Sequence, residues 1–154
     1  MSDCVSLKFP VSQIQENQGL SVSLSVPASL LFAGMDNEVR HDGPVTTALD
    51  FTLGGSQILL QARLGGAWIV ACCRCLKDHS AVYETDFEET YPLSSDHIDV
   101  TGVVRENSLL ELPQRSLCSP DCKIPYGENG LEPGQPDPEP KSSPFDALKK
   151  LKEN

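Results

Sequence analysis

Cys72 and Cys75, in the run Ala71-Cys72-Cys73-Arg74-Cys75-Leu76, are spaced so that one tight turn can bring both thiols to the same side. Cys118 and Cys122, in Cys118-Ser119-Pro120-Asp121-Cys122, repeat the arrangement with one more residue between them, and Pro120 bends the loop. Zinc favours four nitrogen or sulfur ligands in a tetrahedron, sulfur about 2.3 Å from the metal, and short-spaced pairs supply those ligands two at a time. One structural zinc on Cys72, Cys75, Cys118 and Cys122 would clip the C-terminal arm to whatever carries the first pair, and its binding energy would be folding energy. Two other chemistries remain open. Cys72 and Cys75 could be a thiol redox pair, although that reading asks for a helix N-terminus to lower the thiol pKa, and this pair ends a strand. The thiols could equally be inert and reduced. Cys73 alternates to the other face of the strand, Cys4 has no near partner, and Leu76-Lys77 stand where a metal knuckle usually has glycine. His79 and His97 could replace one thiol.

Beyond the thiols, little in the sequence could do chemistry. It has no P-loop glycine pattern and no G-x-S-x-G. His41, His79 and His97 each neighbour an acid (Asp42, Asp78, Asp96) in stretches that read as exposed turns. Glu88 and Glu89 point to opposite faces of a strand and form no dyad there. With no nucleophile and base to pair, the expectation is a protein that is not an enzyme.

Bulk properties narrow the partners. A length of 154 residues suits one domain with a real core. With 12 basic and 22 acidic residues the formal net charge is −10. Phosphate binding needs clustered Lys and Arg, so generic nucleic-acid binding is disfavoured, and a basic protein partner is the better match. There is no run of about 18 apolar residues to span a membrane. Met1-Ser2-Asp3-Cys4 shows neither the basic nor the apolar region of a secretion signal, so a cytoplasmic location and reduced cysteines are expected.

The elements that must position the thiols are mostly strands. Val5, Leu7 and Phe9 alternate with polar residues up to Pro10, and a polar connection over 12–19 follows. Leu20, Val22, Leu24 and Val26 alternate with serines, and 27–34 reads as a helical turn or two. Residues 45–53 and 58–64 are in phase about a Gly54-Gly55 hairpin. Gly65-Gly66 reads as a second hairpin, leading to a run over 68–72 that is apolar on both faces, as a central strand should be. From 81 to 91, Tyr83, Phe87 and Tyr91 take one face and Glu84, Asp86 and Glu88 the other, which makes these acids the candidate partner-binding residues. Ile98 and Val100 suggest a brief strand. Thr101 can cap a helix that runs through Leu110 and stops by Pro113. The expected fold class is α+β, mostly antiparallel β: a meander sheet over about 44–91, one or two short helices and a flexible C-terminal tail. The expected organisation is a single β-rich domain over 1–123, a Pro-rich, disordered linker over 124–143, and a short amphipathic helix over 144–154. In that helix Phe145, Leu148 and Leu151 form the apolar stripe.

The stretch ACCRCLKDHSAVYETDFEETY, then LLELPQRSLCSPDCK, then the terminal PFDALKKL, resembles the YceD family over roughly residues 44–154. The resemblance implies a non-catalytic cytoplasmic (in plants, plastid) protein needed for accumulation of large-subunit ribosomal RNA. It also implies a gene often placed beside one for a large-subunit ribosomal protein. The family's thiols carry over to Cys72, Cys75, Cys118 and Cys122. Many members continue with G-L-C-x-x-C-G, where this chain has Lys123-Ile124-Pro125-Tyr126-Gly127 and no further cysteine. The function expected on this basis is a factor in large ribosomal subunit biogenesis. Its partner would be a large-subunit ribosomal protein or pre-ribosomal particle, met through an acidic surface. The alternatives are a zinc-dependent RNA-binding module, with Arg74, Lys77, Lys149, Lys150 and Lys152 as its cations, and a thiol redox protein.

Overall fold

A computed structural model describes residues 7–35 and 39–123. The chain divides after Cys122 into two units, Met1–Cys122 and Lys123–Asn154. The first holds every helix and strand of the described residues. The linker expected over 124–143, the tail and the helix expected over 144–154 lie outside them, as does Cys4.

The chain runs β1 (Lys8–Pro10), α1 (Val11–Glu16), β2 (Gly19–Val26), α2 (Ala28–Leu31), β3 (Val45–Gly54), β4 (Gln57–Ala71), β5 (Asp78–Pro92), β6 (His97–Asp99) and α3 (Thr101–Leu110). Strands β2-β3-β4-β5 form one antiparallel sheet, and β1 pairs with β6 in a second. The fold class is thus α+β and mostly antiparallel, as the alternation implied. The β3–β4 hairpin turns at Gly55, whose φ of +61° suits glycine.

Gly65-Gly66 is not a turn. Strand β4 runs unbroken through it for 15 residues, paired with β5 from Gln57 opposite Pro92 to Ala71 opposite Asp78. The runs 58–64 and 68–72 are therefore one strand, and β2 supplies the fourth member of the sheet. The second glycine serves a close approach. A Cβ on Gly66 would stand 2.6 Å from His41 Nε2 and 2.9 Å from the Tyr83 hydroxyl. A glycine in a strand can mark tight packing as readily as a turn, and sequence alone does not separate the two. The connection expected over 12–19 contains α1, which buries Val11 and Ile14.

One face of the large sheet carries the core. Leu49 and Phe51 of β3, Leu60, Leu64 and Trp68 of β4, and Tyr83 of β5 are buried with Phe9, Ile14, Leu31, Ile98 and Val104 from the helices and the small sheet. Trp68 is at the centre. It is fully buried, its ring lies 5.0 Å from Phe32, 4.8 Å from His41 and 5.9 Å from Tyr83, and its Nε1 donates to the Ser108 carbonyl at 3.2 Å. That last bond ties β4 to α3. The opposite face of the sheet, with Thr46, Ala48, Asp50, Arg63, Glu84 and Asp86, is exposed.

Thr101 is the first helical residue of α3 and not its cap. The side chain that meets the helix start is Asp99, whose Oδ1 accepts from the Thr101 N–H at 3.0 Å. Thr101, by its side chain and then its backbone, holds the Asp99 carboxyl below the usual carboxylate range. A lowered folded pKa stabilises above the unfolded value, near 3.9, and the contribution is lost as pH falls through the folded value. Asp99→Ala should therefore cost about 0.5 kcal/mol at neutral pH, the low end for a capping group. Chemical denaturation should show the difference from the parent protein shrinking as pH falls below about 3.9.

Candidate metal centre

Strand β4 ends at Ala71, and Cys72 follows it on the inner face, fully buried. Two backbone bonds close a turn around it: Cys72 N–H to the Lys77 carbonyl at 2.8 Å, and Leu76 N–H to the Cys72 carbonyl at 2.9 Å. The turn delivers Cys75 to the same side and leaves Cys73 exposed and outside the cluster. After α3 the chain returns to this point. Cys73 N–H donates to the Ser116 carbonyl at 2.9 Å, and His79 Nε2 meets Ser116 Oγ at 2.6 Å. Two residues on, Cys118 opens a second turn, in which Cys122 N–H donates to the Ser119 carbonyl at 3.1 Å. Arg74 Nη1 donates to the Cys122 carbonyl at 2.6 Å and holds the two turns face to face.

The four sulfurs of Cys72, Cys75, Cys118 and Cys122 then lie within 4.8 Å of one another. Cys72 Sγ is 3.7 Å from Cys122 Sγ, and Cys75 Sγ is 3.6 Å from Cys118 Sγ. A disulfide would need about 2.05 Å. A tetrahedron with metal–sulfur bonds of about 2.3 Å has edges near 3.8 Å, so the spacing suits a four-thiolate metal site. The Arg74 N–H points at Cys72 Sγ from 3.4 Å, the amide-to-sulfur contact that steadies a thiolate. The backbone of Cys75, foremost, and that of Cys118 hold the Cys72 thiol down to about 5, while the Cys118 side chain and then burial push Cys122 up to about 12. Cys72 therefore ionises readily, while Cys118 and Cys122 resist it. A divalent cation would supply the charge that lets all four ionise.

The redox reading gains the lowered Cys72 thiol but not the geometry. The short contacts run between the two turns rather than within Cys72/Cys75, and the first pair sits in a turn after a strand. The imidazoles do not join the sulfurs. His79 is occupied by Ser116, His97 is exposed in β6, and His41 is a core-edge residue, its Nδ1 at 2.7 Å from the Gly43 carbonyl and its Nε2 at 3.0 Å from the Tyr83 hydroxyl. His79 and His41 are thus half-buried and bonded, where the sequence suggested exposed turns. His79 positions the arm that carries Cys118. No spacing rule points to that role, because its partner is a serine distant in the chain.

Leu76 occupies the position where a knuckle usually has glycine, and its φ is +61°. A left-handed backbone costs a non-glycine residue roughly 1–2 kcal/mol. Its side chain is 73% exposed, so little packing is lost on truncation. Leu76→Gly is expected to stabilise the protein by about 0.5–1 kcal/mol once glycine's unfolded-state entropy is subtracted. It should also slow metal loss to a competing chelator, and both effects are measurable on one purified sample.

Glu84, Asp86 and Glu88 lie along the exposed face of β5. Glu84 faces Arg63 Nε at 3.7 Å and Glu88 accepts from Gln61 Nε2 at 2.8 Å. The three acids sit opposite Gly65, Arg63 and Gln61 of β4.

Residues 88–152 match the family model described as large ribosomal RNA subunit accumulation protein YceD. The matched family is YceD. The YceD match takes in the end of β5, α3 and the Cys118–Cys122 turn, and it is shorter than the stretch from 44 over which the sequence resembles the family. Cys72 and Cys75 precede it. No curated protein and no solved structure matches the chain.

Proposed function

We propose that this chain is a non-catalytic cytoplasmic factor in large ribosomal subunit biogenesis. It supports accumulation of large-subunit ribosomal RNA through protein contacts on the acidic face of β5. The observation that carries the reading is the YceD match over residues 88–152, whose description names that role. The charge of −10 supports it, because ribosomal proteins are basic and an acidic surface speeds their encounter and selects them. In this reading Glu84, Asp86 and Glu88 meet the partner. Cys72, Cys75, Cys118 and Cys122 hold one structural zinc that staples the arm after α3 to the end of β4. No helix of the described residues is long and apolar enough to cross a membrane.

The test is a pull-down with the full chain, which should enrich large-subunit proteins or precursor particles and lose them as salt rises. Depletion should lower large-subunit RNA relative to small-subunit RNA. Unchanged RNA levels and subunit profiles would overturn the proposal. A zinc-dependent RNA-binding module is favoured by one observation, the two cations Arg74 and Lys77 in the first thiol turn. Gel shifts with ribosomal RNA fragments separate the two readings: tight, salt-sensitive RNA binding by the purified chain would favour the second.

A further inference from the structure

We propose that the exposed face of the large sheet is a docking groove for an extended, lysine- and arginine-rich protein segment that seats one apolar side chain in the hollow beside Val82. This rests on the protein-contact reading above and names where and how the partner lies.

The groove follows from side-chain size. In register across the sheet, Thr46 of β3, Gly65 of β4 and Glu84 of β5 form one row, Ala48, Arg63 and Asp86 the next, and Asp50, Gln61 and Glu88 a third. At the first row the central strand has no side chain; the Thr46 hydroxyl leans over Gly65 and donates to its carbonyl at 3.1 Å, and Ala48 and Ser23 beside it are small. A hollow of about 730 Å³ results. Its rim carries Pro44, which is exposed, and Val82, which is 84% exposed. A valine so exposed on an otherwise polar strand face has no packing role in the described fold. A second hollow of about 380 Å³ continues from the first, shares Ala48 and Arg63 with it, and is lined by Asp50, Asp86 and Glu88. From Gly65 to Gln61 the pair spans about 13 Å of strand, the reach of four or five extended residues.

Charge decides the occupant. Asp50, Glu84, Asp86 and Glu88 line the two hollows against one cation, Arg63, which already faces Glu84. A nucleic acid would be repelled. It would also lack a stacking platform, because the aromatic residues of β5, Tyr83, Phe87 and Tyr91, lie on the register of the core face. A basic segment with one apolar anchor complements both hollows: the anchor beside Val82, and the cations along Asp86, Glu88 and Asp50.

The experiment measures fluorescence anisotropy of the full chain with a labelled octapeptide of lysine and arginine carrying one central phenylalanine, and with a twin carrying serine instead. The phenylalanine peptide should bind at least ten-fold more tightly than its twin. Ala48→Trp, which fills the junction of the hollows from an exposed position, should reduce it to the level of the twin. Val82→Ser, at a side chain that is mostly exposed, should weaken it several-fold, and Asp86→Lys with Glu88→Lys should weaken both peptides at least ten-fold. Equal binding of the two peptides, indifference to Ala48→Trp and Val82→Ser, or equal competition by a single-stranded RNA octamer would overturn the proposal. The same variants separate it from the biogenesis reading. If Ala48→Trp still enriches large-subunit proteins in a pull-down, the groove is wrong and the biogenesis reading stands. If the parent chain binds the phenylalanine peptide tightly but enriches no such proteins, the groove stands and the biogenesis reading falls.

Discussion

Cys72→Ser is expected to abolish metal binding and lower the melting temperature by roughly 10–20 °C. Protein purified under reducing conditions without chelators should carry about one zinc per chain by elemental analysis, and the variant none. The size of the effect follows from linkage. A ligand present at about 1,000 times its dissociation constant stabilises the folded state by about 4 kcal/mol, and 1 kcal/mol moves the midpoint of a domain of this size by several degrees. Cys72 is the member with most to lose, because it is fully buried at the end of β4 and collects amide contacts on its sulfur. Cys118→Ser should lose the metal as well but cost less, since Cys118 is exposed. Cys73→Ser is the control: the residue is exposed and outside the cluster, and its contact with the arm is a backbone bond that serine keeps. Zinc at full occupancy in Cys72→Ser, or no zinc in the parent, would remove the metal centre. Chelation should also raise hydrogen exchange in residues 112–122 well before the strands, because the arm is joined to the sheet mainly through Cys73–Ser116, His79–Ser116 and Arg74–Cys122.

Much of this centre could be read from the sequence, and the reason is local. Ligand spacing in a turn depends on a few adjacent residues, so Cys72 with Cys75 and Cys118 with Cys122 stand out before any fold is known. Strand alternation is equally local, and it assigns the faces of β3, β4 and β5 correctly, including the outward set Glu84, Asp86 and Glu88. What escapes is set by contacts between distant residues. Gly65 and Gly66 carry a turn signature, yet one admits the Thr46 hydroxyl on the exposed face and the other admits His41 and Tyr83 on the core face. His41 reads as a surface residue beside Asp42 until its aromatic neighbours, Phe32, Trp68 and Tyr83, are in place around it. The short helix α1 buries only Val11 and Ile14, too few positions to establish a period.

The same long-range packing makes Trp68 the residue on which the inner layer turns, and Trp68→Ala is expected to cost about 3–5 kcal/mol, the range for a buried aromatic. Part of that loss is volume. Part is the bond from Nε1 to the Ser108 carbonyl, which then keeps only the Glu111 N–H at 3.3 Å, a loss of about 0.5–1.5 kcal/mol. Trp68→Phe separates the two, since it keeps a ring against Phe32, His41 and Tyr83 but cannot donate. It should fall between the parent and Trp68→Ala when unfolding is followed by circular dichroism in urea, with an unchanged slope. The protein has one tryptophan, so its emission in the parent reports this site alone and should be that of a buried indole. Because Trp68 lies on the core face four residues before Cys72 and anchors α3, loosening it should also speed zinc transfer to a chelator. A Trp68→Ala protein with parental stability and parental zinc retention would show that β4 and α3 are held together elsewhere.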